Sequence, residues 1–211
     1  MRIQTDNGLF DIVFMAAGAV LAVLLLRGLF LFATRKPFKV TAGLFWGVTL
    51  TYGAGLIISN LMTPWQDLTP GTAKCSDEWC VTVDSISTAP VPGYAPKGSL
   101  VVAKVRLFSE ARGRTQRGSS PAIYLIDAKG VRHAPSPQAQ AALADAFGPQ
   151  PPLNTQIAPG EAVVTLQAFD TAGTSPTARI LIEEEPGITR LILFNEAGYF
   201  SGKSVFVVPM H

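Results

Sequence analysis

Residues 34–39 read TRKPFK and separate two long apolar stretches, residues 9–33 (LFDIVFMAAGAVLAVLLLRGLFLFA) and residues 40–62 (VTAGLFWGVTLTYGAGLIISNLM). A helix needs about 20 apolar residues to cross the hydrocarbon core of a membrane, and both stretches are long enough. Because a backbone in lipid must satisfy its own hydrogen bonds, both are expected to be transmembrane helices. Two buried helices of a soluble protein are one alternative, although such helices usually carry a polar face. A cleaved signal peptide is the alternative for the first stretch, which is longer than the usual apolar region of about 7–15 residues.

The charges around these stretches predict their orientation. Arg35, Lys36 and Lys39 lie in the short connector, whereas residues 63–72 contain no lysine or arginine. Short loops rich in basic residues stay in the cytoplasm. We therefore expect a two-pass protein of the cell (inner) membrane, with its N-terminus and its C-terminal part outside the cytoplasm. Arg27, inside the first stretch, can extend its side chain to the lipid headgroups or make a polar contact with a partner.

Small residues recur at every fourth position of the second apolar stretch, at Gly43, Gly47, Thr51 and Gly55. Such a face lets two helices approach closely. It predicts either packing within the hairpin, or contact with another membrane protein or a second copy of the chain.

Cys75 and Cys80 are the two cysteines, in the segment AKCSDEWC. Outside the cytoplasm, such a pair is most simply a local disulfide. Two free thiols and redox chemistry are the alternatives, but a redox CxxC motif has two intervening residues and this pair has four. A structural zinc ion needs about four ligands, which this segment does not supply. Val81 stands where haem attachment requires a histidine.

The remainder of the chain has the alternating pattern of half-buried strands, punctuated by turn residues such as Pro159-Gly160. The candidate strands are residues 80–87, 100–110, 122–127, 161–170, 179–184, 189–195 and 204–208. About seven short antiparallel strands predict a β-sandwich.

One short helix is predicted within this strand-rich region. Ser136 and Pro137 read as an N-cap and a first helical residue, followed by good helix formers to Phe147. Leu143 and Phe147, four residues apart, are both expected to face the sandwich.

The segment YLIDAK at 124–129 with Gly130, then Ser136 and Gln140, then Pro159-Gly160-Glu161 and a strand ending in Phe169-Asp170 resembles bacterial immunoglobulin-like domains of unknown function. Those domains commonly follow a lipoprotein or transmembrane anchor. The resemblance extends over about residues 100–208. It implies an immunoglobulin-like fold without enzymatic activity, and it identifies no catalytic residue.

A search for chemistry finds no nucleophile elbow, P-loop, zinc-protease motif or dinucleotide fingerprint. The two histidines, His133 and His211, have no motif context, and His133 is interpreted as a surface loop residue rather than a general base. We therefore expect no enzyme, no cofactor and no bound metal. The formal net charge of +2 does not indicate a nucleic-acid-binding protein.

Two charge clusters remain. Arg112, Arg114 and Arg117 lie in a loop between two predicted strands, and Glu183, Glu184 and Glu185 end another strand. Either cluster can be a solvated surface. The arginine cluster is alternatively a contact loop for anionic lipid, cell-wall polymer or a partner protein.

The predicted organisation is therefore a transmembrane α-helical hairpin in residues 1–66 and a linker in residues 67–78. An all-β immunoglobulin-like sandwich with one inserted short helix follows in residues 79–211. The predicted function is that of a membrane-anchored extracytoplasmic module that acts by protein contacts in a cell-envelope assembly. The lipid bilayer and another envelope or membrane protein are the expected partners. The alternative is an extracytoplasmic small-ligand sensor or binding protein with an apolar pocket near residues 136–160.

Overall fold

A computed structural model describes residues 2–4, 8–37, 39–76, 78–88, 90–96, 98–171, 177–183 and 203–209. The helices are α1 (Gly8–Ala33), α2 (Lys39–Met62) and α3 (Pro137–Phe147). The strands are β1 (Arg2–Gln4), β2 (Gln66–Leu68), β3 (Ala73–Ser76), β4 (Trp79–Ser87), β5 (Ser99–Ser109), β6 (Ala122–Ile126), β7 (Arg132–His133), β8 (Ala162–Thr171), β9 (Thr177–Glu183) and β10 (Ser204–Pro209). The chain forms two compact units: α1 and α2 belong to one, and the strands and α3 to the other.

The first unit is a helical hairpin. Both α1 and α2 are long and apolar enough to cross a membrane, by length and composition. The backbone N–H of Lys36 donates to the carbonyl of Leu31 at 2.9 Å, and that of Arg35 donates to Phe32 at 3.1 Å. With Arg35 at a φ of 53°, these bonds end α1 in a Schellman motif. The ring centroids of Phe14 and Tyr52 lie 6.5 Å apart between the two helices.

The second unit is a β-sandwich. Within the described residues, one sheet has the strand order β1-β3-β4-β5-β8 (sheet A) and the other has the order β2-β10-β9-β6-β7 (sheet B). Their facing sides bury a core that includes Leu107, Phe169, Ile180 and Phe206, none of them measurably exposed. The structure is therefore a pair of potential membrane-spanning helices followed by a two-sheet sandwich.

Strand β5 shows why its sequence pattern is informative. Val101, Ala103, Val105 and Leu107 point into the core, because successive side chains of a strand alternate between its two faces. Lys104 lies on the outer face and is exposed. The strands expected at 80–87, 100–110, 122–127, 161–170, 179–184 and 204–208 are confirmed, with ends that differ by one or two residues. The strand expected at 189–195 lies outside the described residues, as do His211, Glu184 and Glu185.

The sandwich begins earlier than the predicted boundary at residue 79. The segment expected to be a linker, residues 67–78, contains most of β2 and all of β3. Strand β2 pairs with β10 in parallel, and β3 pairs with β4 in antiparallel register. Strand β1, which precedes the first apolar helix, pairs in parallel with β3. The sandwich therefore takes strands from both sides of the helical hairpin.

Helix α3 packs on the outer face of sheet A. Ser136 is its N-cap, accepting a hydrogen bond from the N–H of Ala139 at 3.4 Å, and Pro137 begins the helix. Leu143 is 1% exposed and joins a second apolar cluster with Leu100 and Ala168. The expectation that Phe147 faces the sandwich is wrong, because this side chain is 61% exposed. Phe147 ends the helix, and the chain turns away at Gly148, whose φ is 87°.

Candidate functional site

The predicted disulfide is present. Cys75 and Cys80 face each other on β3 and β4 and are bonded, with their Cα atoms 4.1 Å apart. Neither residue is measurably exposed. A carboxylate oxygen of Glu110 and the two sulfurs all lie within 4.8 Å of one another. Because both sulfurs are in the disulfide, neither is a thiolate that could bind a metal ion. The disulfide links β3 to β4 and so stabilises this hairpin.

The arginine loop, residues 112–117, connects β5 to β6 and has a fixed base. Gln116 exchanges two backbone hydrogen bonds with Ile157, at 2.9 and 2.8 Å. Its side-chain amide donates to Glu78 at 2.7 Å. Just beyond the loop, a Cβ atom built on Gly118 would lie 3.0 Å from the indole ring of Trp79. The loop is therefore attached to the sandwich by backbone, side-chain and packing contacts.

The three arginines of this loop point away from the core. Arg112, Arg114 and Arg117 are all exposed. The Arg114 guanidinium lies 3.6 Å from the Glu78 carboxylate while 71% of its side chain remains accessible. The sequence prediction placed these residues in one loop, and the structure brings them together on an ordered base. The arrangement can offer several guanidinium groups to an anionic surface without a large ordering cost.

Two of the four residues on the small-residue face of α2, Gly43 and Gly47, do not contact α1. Gly43 and Gly47 are exposed, and a Cβ atom built on either meets no atom outside its own helix within 4 Å in the described part of the chain. The side of α2 that meets α1 instead carries Thr41, close to Gly28, and Tyr52. The described hairpin thus leaves Gly43 and Gly47 accessible for a contact with another helix.

A groove on the outer face of sheet A is the feature that the sequence prediction did not resolve. It has a volume of about 210 Å³ and lies beside α3. Its apolar floor consists of Val91, Val102, Leu143 and Leu166, and Phe147 stands at its rim. Ser85, Ser87 and Lys104 supply its polar wall.

A β-bulge creates that polar wall. Val83 pairs with Val105, and the next paired residues are Ser85 and Lys104, so that the register skips Asp84. Asp84 instead accepts hydrogen bonds from the Arg106 guanidinium at 2.9 and 3.2 Å. Within the described residues Lys104 has no ion pair. The bulge therefore replaces a carboxylate with a hydroxyl opposite the Lys104 ammonium.

The outer edge of sheet A is closed by side chains of α3 and of the segment that follows it. The Gln140 amide donates to the Leu166 carbonyl at 2.7 Å and accepts from the Ala168 N–H at 3.1 Å. The Gln150 carbonyl oxygen accepts from the Leu166 N–H at 2.9 Å. These bonds occupy backbone groups of β8 that would otherwise be open to pairing with another chain. They also fix α3, one wall of the groove, to the sheet.

Asp170 and Asp127, which lie in the segments that resemble immunoglobulin-like domains, also have structural roles. The Tyr94 hydroxyl donates to the Asp170 carboxylate, and this hydrogen bond raises the pKa of Tyr94. Asp127 accepts from the N–H groups of Lys129 and Val131 at 2.8 and 2.9 Å, which builds the β6–β7 turn.

His133 is not a surface loop residue. It lies in β7, is half-buried, and its Nε2 is 3.0 Å from the Asp127 carboxylate. The hydrogen bond with His133, followed by that from the Val131 N–H, lowers the pKa of Asp127. The pair joins the two strands that flank the turn, which explains both residues without a catalytic role.

Comparisons with known proteins give the following results. No protein-family model matches the chain, and no curated protein matches it. Among solved structures, a secreted protein from Mycobacterium tuberculosis, MPT63, has a TM-score of 0.43 at 18% identity, covering 70% of this chain and 98% of that one. A conserved hypothetical protein from Bacillus anthracis has a TM-score of 0.38 at 12% identity, covering 53% of this chain and 84% of that one.

Proposed function

We propose that this chain is a membrane-anchored, extracytoplasmic immunoglobulin-like module that acts by protein contacts, as an accessory component of a cell-envelope assembly. The observation that carries the proposal is the arginine loop: three exposed guanidinium groups on a base fixed by Gln116, Glu78 and Ile157. Such a loop suits an acidic patch on a partner, since electrostatic complementarity selects partners and speeds association.

The location has independent support. The connector between α1 and α2 carries Arg35 and Lys36, which favours a cytoplasmic connector. The Cys75–Cys80 disulfide favours an oxidising compartment for the sandwich. Strand β1 lies before α1 and belongs to sheet A, so removal of α1 as a signal peptide would also remove an edge strand of the sandwich. This pairing supports the proposal that both helices remain in the mature protein, with both ends of the hairpin outside the cytoplasm.

Oligomerisation through α2 is part of the same proposal. Gly43 and Gly47 are accessible in the described hairpin, and small residues four apart allow close helix contact. A second copy of the chain, or a helix of the partner protein, fits this face.

Photo-crosslinking in intact cells tests the contact function. A photoreactive amino acid replaces Thr115, which is exposed between the arginines. We expect a discrete crosslinked envelope protein that is lost when Arg112, Arg114 and Arg117 are all changed to Gln. The matched control places the same probe at Lys129, an exposed turn residue at the end of β6. A product that forms equally from both positions, or that persists in the triple Gln variant, contradicts the proposal.

A second candidate function is an extracytoplasmic sensor or binding protein for a small ligand. The groove beside α3 favours it, because an apolar floor with a few convergent polar groups is typical of ligand sites. The groove also lies against residues 136–160, where a pocket was predicted.

A further inference from the structure

We infer that the groove beside α3 binds a small amphiphilic anion: a carboxylate head on a medium-length acyl chain. This inference rests on the second candidate function and adds the chemistry of its ligand. The apolar floor of Val102, Leu143 and Leu166 receives the chain. The Lys104 ammonium and the Ser85 and Ser87 hydroxyls receive the head group.

The register of β4 and β5 carries the argument for an anion. A regular antiparallel ladder would place Asp84 opposite Lys104, as a cross-strand ion pair. Because of the bulge, Asp84 pairs with Arg106 instead. Ser85 then lies opposite Lys104, and Ser87 lies opposite Val102. Bulges commonly re-aim side chains beside functional sites. Here the bulge gathers one cation and two hydroxyls at the groove, and among the described residues no carboxylate side chain lines it.

The size and composition of the groove define the rest of the ligand. Its volume of about 210 Å³ is smaller than the roughly 300–1,000 Å³ of sites for drug-sized molecules. A medium-length chain therefore fits better than a large ring system. Phe147 is 61% exposed at the rim, although a large aromatic side chain in water is unfavourable. A bound chain would cover part of this ring.

The test uses the full chain in lipid nanodiscs, with methyl groups of valine and leucine labelled for NMR. Octanoate is the probe, octan-1-ol is its neutral match, and butanoate is its short match, each compared at equal free concentration after partition into the discs is measured. We expect octanoate to shift the methyl signals of Val91, Val102 and Leu143. Signals of Leu125, in the core between the sheets, should stay unchanged, and butanoate should have little effect.

Variants at the polar wall identify the head group. Ser85→Asp places a carboxylate opposite Lys104. It should weaken octanoate binding at least about tenfold, because the new carboxylate repels the carboxylate of octanoate. Ser85→Asn, the neutral match, should keep the affinity within about twofold. Lys104→Gln should weaken binding roughly three- to tenfold. Ser85 and Lys104 are both exposed, so these variants should fold.

The outcomes separate the ligand chemistry from the candidate function. If octan-1-ol shifts the groove signals as strongly as octanoate, and Ser85→Asp changes neither, the groove binds ligands and the anion inference is overturned. If no probe shifts the groove signals, the inference and the small-ligand function both fail. The proposed contact function of the arginine loop does not depend on this result.

Discussion

The arginine loop and the groove beside α3 both present positive charge on the surface of one sandwich, but they are supported differently. The loop holds three exposed arginines above polar contacts to Glu78 and Ile157. The groove holds one lysine beside a floor of buried and half-buried apolar side chains. A solvent-exposed cluster acts through charge and weakens with salt. A cation beside an apolar floor adds burial of a hydrocarbon chain, which salt does not screen. The two sites therefore suit different ligands.

The largest expected effect is on the stability of the sandwich, through a residue of the apolar floor of the groove. Leu143→Ala removes a side chain that is 1% exposed and should lower the free energy of unfolding by about 2–5 kcal/mol. Phe147→Ala, one helical turn later, should cost less than about 0.5 kcal/mol because Phe147 is mostly in solvent. Denaturant unfolding of the nanodisc-embedded chain, followed by tryptophan fluorescence to which the buried Trp79 contributes, measures both. Equal losses in the two variants would contradict the described orientation of α3.

Gly118→Ala should act next most strongly, on the base of the arginine loop. The added methyl group would lie 3.0 Å from both the Trp79 ring and the Pro121 side chain, and overpacking of this kind costs about 1–3 kcal/mol. Gly113→Ala is the matched control in the same loop, because its added methyl group meets nothing within 4 Å. Unfolding midpoints compare the two variants. If Gly118→Ala is as stable as Gly113→Ala, the loop does not have the rigid base that its contact function requires.

Gln140→Ala should cost about 1–3 kcal/mol, because it leaves backbone groups of β8 without partners. It should also speed hydrogen exchange at the Ala168 amide. Gln138→Ala, at an exposed position of the same helix, serves as the control. Unchanged exchange at Ala168 would show that Gln140 does not close this edge of the sheet.

The β6–β7 turn gives the smallest effect, and it depends on pH. Hydrogen bonds from His133 and Val131 hold the folded-state pKa of Asp127 below its ordinary value of 3.8. Its stabilising contribution is therefore present above the unfolded-state pKa and is lost as the pH falls through the folded-state pKa. Asp127→Asn should be less stable than the natural chain at pH 7, with the gap closing below about pH 4. Thermal unfolding across this range tests it, and a gap that widens in acid would have the wrong sign.

The sequence predicts those parts of the fold that have a local pattern. Strand β5 has an apolar residue at every second position from Val101 to Leu107, and Ser136-Pro137 marks the start of α3, so both could be found. Strands β1, β2 and β3 are three or four residues long, and the pairings of β1 and β2 are with distant segments. Their pattern is too short to distinguish a strand from a linker.

The bulge beside the groove has a signal in the sequence of β4. Val81 and Val83 point inward two residues apart, but the next inward residue is Ile86, and a spacing of three marks a bulge. The consequences of that bulge for Lys104 and Asp84 depend on the register with β5, which the sequence of β4 alone does not contain. Phe147 does not face the sandwich as its spacing from Leu143 predicts, because helical spacing is a poor guide at the last residue of a helix. The motif residues Gln140 and Asp170 were recognised from the sequence, but their roles emerge only from contacts with β8 and Tyr94.

The location of the sandwich is the central claim, and labelling of single introduced cysteines in intact cells tests it most directly. Cys75 and Cys80 are bonded and buried, so they should not react with a membrane-impermeant maleimide. Lys129→Cys lies on the sandwich and Lys36→Cys in the connector, and both positions are exposed. With any outer membrane permeabilised, we predict that Lys129→Cys is labelled in intact cells and Lys36→Cys only after lysis. The reverse pattern would place the sandwich in the cytoplasm, and labelling of both in intact cells would indicate a secreted protein; either result contradicts the account.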